Sequence, residues 1–200
     1  MQRTRPKNKK YALAGAEIAM KLQKKRVLCT KVPQMLHQLL IRQAQVRIIE
    51  ESVPRIERCL AMLSEGQIWM RPNPESNAVG NLVLHLCGNA RQWILSGLCG
   101  MPDRRERSRE FAANGEFDKE YLQKMLHLLT KDLTEAWPNI STEALIATHR
   151  VQVFDETGVS ILVHVIEHFS YHTGQIAYIT KWLTNTDTGF YAGQNLEIKP

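Results

Sequence analysis

The chain has 200 residues, a net charge of +6 and four scattered cysteines, Cys29, Cys59, Cys87 and Cys99. Its hydrophobic fraction of 44% suits a chain that buries an ordinary globular core, and no apolar run approaches the roughly 20 residues that a membrane span needs. With no CxxC pair, the cysteines exclude a zinc ribbon and a disulfide framework, and the expected setting is the reducing cytoplasm.

The charge is unevenly placed. Residues 1–34 carry ten Lys or Arg and one Glu, whereas residues 35–200 carry sixteen Lys or Arg against nineteen Asp or Glu. The basic character therefore belongs to the N-terminal segment, read as a flexible extension or as residues before a natural start at Met35. The body is mildly acidic, which argues against a nucleic-acid-binding core. The expected organisation is a basic extension over 1–34 and one helical domain over 35–200, which folds without the extension.

From Met35 the apolar residues take helical spacing: Leu39, Leu40, Val46, Ile49, Val53, Ile56, Leu60 and Leu63. Pro54 falls within this run and predicts a kink or restart, and Gly66 predicts its end. The prolines and turn formers of residues 66–80 read as a loop. Asn77 is the predicted N-cap of a second helix over 78–96. Its inward seam runs Ala78, Leu82, His85, Asn89, Gln92 or Trp93, and Ser96, so a histidine and an asparagine stand where leucines are expected. Residues 101–117 are highly charged and read as a long solvated connection, of the kind that in compact domains is often functional. A third helix over 118–136 shows the stripe Leu122, Leu126, Leu129, Leu133, with His127 one residue off it. Residues 146–154, which contain His149, are β-prone and predict a short extended piece.

Thr157 is the predicted cap of the last helix, which runs to Leu183. Its seam is Ile161, Val165, His168, His172, Ile176, Ile179, Leu183. His168 and His172 lie one turn apart and can aim at one point. Burying two imidazoles is costly unless something binds them. They are read either as two ligands of a metal ion or as core histidines satisfied by neighbouring polar groups. The elements predict an all-α fold, a four-helix bundle with a short extended segment before the last helix. A catalytic zinc-type site takes three protein ligands and keeps a position open. His85 is the seam histidine of a facing helix and supplies the third. His164, one turn towards the helix start, is open to three roles: an alternative ligand, a support for the ligands, or a general base. Asn89 and Glu167 are the candidates for hydrogen bonds that orient the imidazoles. Three imidazoles suit zinc, nickel, iron or copper.

The segments HLCGNARQW (His85–Trp93) and HVIEHFSYHTGQI (His164–Ile176) resemble the DinB-like, damage-inducible, YfiT-type superfamily, with the HxxxHxGQI part the specific element. The resemblance covers roughly Met35 to Tyr191 and extends to the charged segment Pro102–Ala113. It implies a four-helix bundle, often a homodimer, with a divalent metal held by His85, His168 and His172. For function it implies a metal-dependent thiol S-transferase acting on small electrophiles, with a low-molecular-weight thiol as co-substrate. The alternative is a non-catalytic, stress-associated metal-binding bundle that works through a partner. Trp93 and Trp182 are the aromatic residues expected at a dimer interface. The basic segment before Met35 departs from the family pattern.

Overall fold

The computed structural model describes residue 20 and residues 34–199. The expected basic extension lies almost wholly outside the described residues. The chain divides into two units, Met1–Leu40 and Ile41–Pro200, and the fold below is that of the second.

Four long helices make the bundle. The first, α1, combines a π-helical stretch, Val46–Ser52, with the α-helical Val53–Met62. Pro54 has no N–H to donate, and the chain ahead of it widens, with the Ser52 hydroxyl donating to the Arg47 carbonyl at 2.7 Å. The proline is thus absorbed by a change of helical register at the start of Val53–Met62. The helix ends at Leu63, not at Gly66. Gly66 instead lies inside a single turn, α2 (Glu65–Ile68), which Ser64 and Gln67 close with a reciprocal capping box.

The second long helix, α3, runs as Val79–Ala90 and continues as a π-helical stretch, Arg91–Leu98. Asn77 is not its cap. The cap position is Ala78, and Asn81 reaches back to accept the Ala78 N–H at 3.0 Å. The charged connection that follows contains a short helix, α4 (Arg107–Ala112). The third long helix, α5 (Lys119–Ala136), is capped by Asp118, and its stripe Leu122, Leu126, Leu129, Leu133 is fully buried. A one-turn helix, α6 (Thr142–Ile146), leads into an antiparallel hairpin, β1 (Thr148–Val151) and β2 (Phe154–Thr157). Gln152 takes the left-handed conformation at its two-residue turn. The fourth long helix, α7 (Gly158–Thr184), starts on a Thr157 cap and ends at Asn185, whose φ is +50°.

The helices pack round the bundle in the order α1, α5, α3, α7. Their apolar stripes meet in a core that includes Ile56, Leu60, Leu86, Ile94, Leu126, Leu129, Val165 and Phe169, all buried. This is the expected four-helix bundle, with the hairpin before the last helix. The tail returns to the body: Arg58 donates to the Thr188 carbonyl, and Arg55 lies 5.6 Å from the ring centroids of both Phe190 and Tyr191. Among the described residues no helix is long and apolar enough to cross a membrane.

Candidate metal centre

Because α3 and α7 pack side by side, the seam histidines of one face those of the other. One ligand atom from each of His85, His168 and His172 lies within 4.8 Å of the others. His85 Nε2 and His168 Nε2 are 2.9 Å apart. The His172 ring stands edge-on to both, with centroids 5.2 Å from His85 and 4.4 Å from His168. Two imidazole nitrogens bound about 2.0–2.1 Å from one ion stand roughly 2.9–3.4 Å apart for bond angles from square to tetrahedral, so the closest pair already has a ligand-like spacing. His85 is 5% and His172 9% exposed, while His168 is half-buried.

The outward nitrogens of two of these rings are held by acceptors. Glu110 Oε2 lies 2.9 Å from His85 Nδ1, and Gln175 Oε1 lies 2.6 Å from His172 Nδ1. Arg105 Nη2 also lies 3.0 Å from His85 Nδ1, but it donates to Glu110 Oε2 at the shorter 2.8 Å. The pairing with the acceptors therefore assigns the proton to Nδ1 in each ring and leaves each Nε2 with a lone pair turned to the cluster. This is the arrangement by which an outer acceptor fixes the tautomer of a metal ligand. The electrostatics agree. Burial pushes the His168 pKa down to about 3, helped by the neighbouring His172, His85 and His164 and by Arg105. Burial also lowers His172, against the opposing hydrogen bond of Gln175. Both rings are therefore neutral at pH 7, the form that ligates.

Glu110 is itself held by Arg105, whose Nε donates to Oε1 at 2.7 Å and whose Nη2 donates to Oε2 at 2.8 Å. Burial would raise this carboxyl, but the hydrogen bonds from Arg105 and His85 outweigh it and keep the group below the ordinary carboxylate range. Arg105 Nη1 also donates to Gln92 Oε1, which accepts from Gln152 Nε2 as well, while Gln92 Nε2 donates to Asp103. The network thus ties the hairpin turn to α3 and to the charged segment. A cavity of about 930 Å³ lies against Arg105, Glu110 and Gln92, and none of the three histidines lines it.

His164 stays outside the three-histidine cluster. Its ring stacks on Trp93 at a centroid distance of 3.9 Å and lies 5.4 Å from that of His168. Burial lowers its pKa, opposed by the charges of Glu167 and Glu156. Asn89 Nδ2 faces His164 Nε2 at 3.4 Å, and Asn89 Oδ1 is buried with no partner among the described residues. An unpaired buried oxygen beside the cluster fits a site that binds something.

Of the two residues expected to orient the imidazoles, Asn89 serves His164 and not a cluster histidine, and Glu167 is exposed. Glu110 and Gln175 hold that place instead. Gln175 was legible as the i+3 neighbour of His172 on one helix face. Glu110 comes from a different element, and its only signal was the small apolar run Phe111–Ala113 beside it. Trp93 is 5% exposed and packed on His164, which removes it as an interface residue, whereas Trp182 is 56% exposed. His127 and His149 lie apart from the cluster. His127 is on the surface, 3.0 Å from Glu57, and His149 Nε2 bonds the Ala144 carbonyl at 2.7 Å.

A helical bundle with a three-histidine cluster between two of its helices, able to hold a metal ion, is thus the class this chain defines. Residues 38–191 match the family described as Protein of unknown function (DUF1572), and the chain belongs to that family. Among solved structures it is similar to a DinB-like protein from Bacillus cereus ATCC 10987, with 16% sequence identity and a TM-score of 0.54, covering 67% of this chain and 87% of that one. That likeness establishes the DinB-like fold. No curated protein matches the sequence.

Proposed function

We propose that His85, His168 and His172 bind one divalent ion, and that the site activates a small thiol for transfer to an electrophilic carbon. The observation that carries the reading is the cluster itself: three rings converge, and two have their outer nitrogens held so that the inner ones face one point. A divalent cation with an open position would stabilise a thiolate near neutral pH. Among the described residues the thiols of Cys59, Cys87 and Cys99 do not fit the role of nucleophile. Burial raises the pKa of Cys59 and Cys99, and that of the fully buried Cys87 to about 12. In this reading the thiol is a separate co-substrate.

In this reading His164 takes its proton. Burial keeps the ring neutral at pH 7, and Trp93 fixes its plane. In the transfer the thiol proton passes to the His164 imidazole, the sulfur bonds to the electrophilic carbon, and the leaving group departs with the bonding electron pair. The test is metal content of the untagged protein, followed by disappearance of a chromogenic aryl halide with glutathione, bacillithiol and mycothiol in turn. Turnover that needs the metal and is lost in His168→Ala supports the reading. Stoichiometric metal without turnover by any thiol counts against it.

A second reading rests on the outer face of α7, where Tyr171, Tyr178 and Trp182 are 64%, 74% and 56% exposed. Exposed aromatic residues of this kind are enriched at protein interfaces, and the partner we propose is a second copy of the chain. Sedimentation of the 23.0 kDa chain at micromolar concentration would show a dimer that Trp182→Glu weakens. A sole species of monomer mass would remove this interface.

A further inference from the structure

Glu110 lies within a charged, largely exposed segment, yet it is itself 9% exposed. We infer that Glu110 is the positioning residue of the three-histidine site, holding His85 as the Nδ1–H tautomer, and that Gly88 provides the space in which it does so. The inference rests on the metal reading above and adds the element that sets its affinity.

Three observations converge. The carboxylate bridges His85 Nδ1 and the Arg105 guanidinium, with both oxygens engaged, and Arg105 Nη2, itself 3.0 Å from His85 Nδ1, gives its hydrogen bond to Glu110 Oε2. Arg105 has two donors on the carboxylate, so the group cannot turn away without breaking a bidentate pair. The backbone that carries Glu110 is fastened to the body. Asn81, fully buried, donates to the carbonyls of Glu110 and Ala113 at 3.0 and 2.8 Å, and Arg71 donates to those of Phe111 and Ala113 at 2.8 and 3.2 Å. These bonds make residues 110–113 a strap across α3, strong enough to hold a charge in a buried place.

Gly88 supplies the third observation. It lies three residues beyond His85, on the same face of α3. A Cβ there would stand 2.0 Å from Glu110 Oε1 and 3.0 Å from Arg105 Nε. The carboxylate occupies the space that any other residue at position 88 would fill. Glycine in a helix interior is unfavourable relative to alanine, so its use here answers to the carboxylate and not to the helix.

The test compares wild type, Glu110→Ala, Gly88→Ala and Gly174→Ala. A Cβ at Gly174 meets nothing within 4 Å, which makes that variant the control on the helix bearing His168 and His172. Nitrogen-15 spectra of the metal-free protein read the His85 tautomer, and chelator competition reads zinc affinity. Wild-type and Gly174→Ala protein should show His85 protonated on Nδ1. Glu110→Ala and Gly88→Ala should shift it towards the Nε2–H form and lose about 10–100-fold in zinc affinity, as loss of an outer partner does. Alanine favours the helix, so Gly88→Ala keeps the variant set informative should Glu110→Ala fold poorly. An Nε2–H tautomer in wild type, or an unchanged tautomer in both variants, overturns the inference. So does affinity within twofold of wild type in both variants. Failure of the wild type to take up zinc would sink the metal reading alone, since the tautomer is measured without metal.

Discussion

The indole of Trp93 lies against the imidazole of His164, with ring centroids 3.9 Å apart and planes inclined by 26°. This stacking holds His164 beside the cluster and out of it. His164→Ala should therefore keep stoichiometric metal while lowering thiol-transfer turnover on the order of 10²–10⁴-fold, the usual worth of a positioned acid or base. Equilibrium dialysis and steady-state rates on one preparation separate the two effects. Loss of the metal itself would make His164 a ligand.

The cluster histidines and the outlying ones should part cleanly. His168→Ala should abolish stoichiometric metal binding, since it removes one of the three rings that could hold the ion. His127→Ala and His149→Ala should leave binding unchanged, because one ring is exposed beside Glu57 and the other is bonded to the Ala144 carbonyl. Elemental analysis of the purified variants decides it.

The metal-free protein should lose stability as the pH falls below neutral. His168 titrates at about 3 in the fold, and His164 and His172 are also depressed by burial, while an unfolded histidine titrates near 6.5. Between these values the unfolded chain binds more protons than the folded one, so acid favours unfolding and stability is fully recovered above about pH 7. Urea midpoints at pH 7.5 and pH 5 should fall in that order. His168→Gln should flatten the difference, and an unchanged slope would show that this ring does not carry it.

Gly158 tests the junction between the hairpin and α7. A Cβ there would stand 2.3 Å from the Ala144 carbonyl oxygen and 2.6 Å from Leu145 Cα, and both are backbone atoms that cannot swing aside. Gly158→Ala should cost about 1–3 kcal/mol, the range of overpacking in a closed site, despite the gain in helix propensity. Thermal unfolding of the variant measures it, and a melting temperature equal to wild type would mean that the junction yields.

How much of this was legible beforehand follows from the range of each interaction. The helices over 118–136 and 158–184 follow from apolar residues at steps of three and four and from the caps Asp118 and Thr157, all of which act within a few residues. The convergence of His168 and His172 follows from one helical turn. His85 joins them through a single further step, that polar residues on two inward seams meet when the seams pack. The ends of helices were less legible where the cap worked backwards, as at Asn81 and Ala78, or where π-helical register absorbed Pro54.

By itself, then, the sequence determined the helical bundle, its inward seams and the three histidines they carry, because periodicity and capping are local and the chain states them directly. Only the tertiary structure decided which groups hold those histidines in register. Glu110 reaches His85 across 25 residues, and in the sequence it is one charge among many in RRERSRE. Its burial depends on Asn81 and Arg71 fastening the strap, on Arg105 pairing the charge, and on the space left by Gly88. Each of these contacts joins separate parts of the chain, so none leaves a periodic trace, and the low cost of burying that carboxylate exists only once all of them are made.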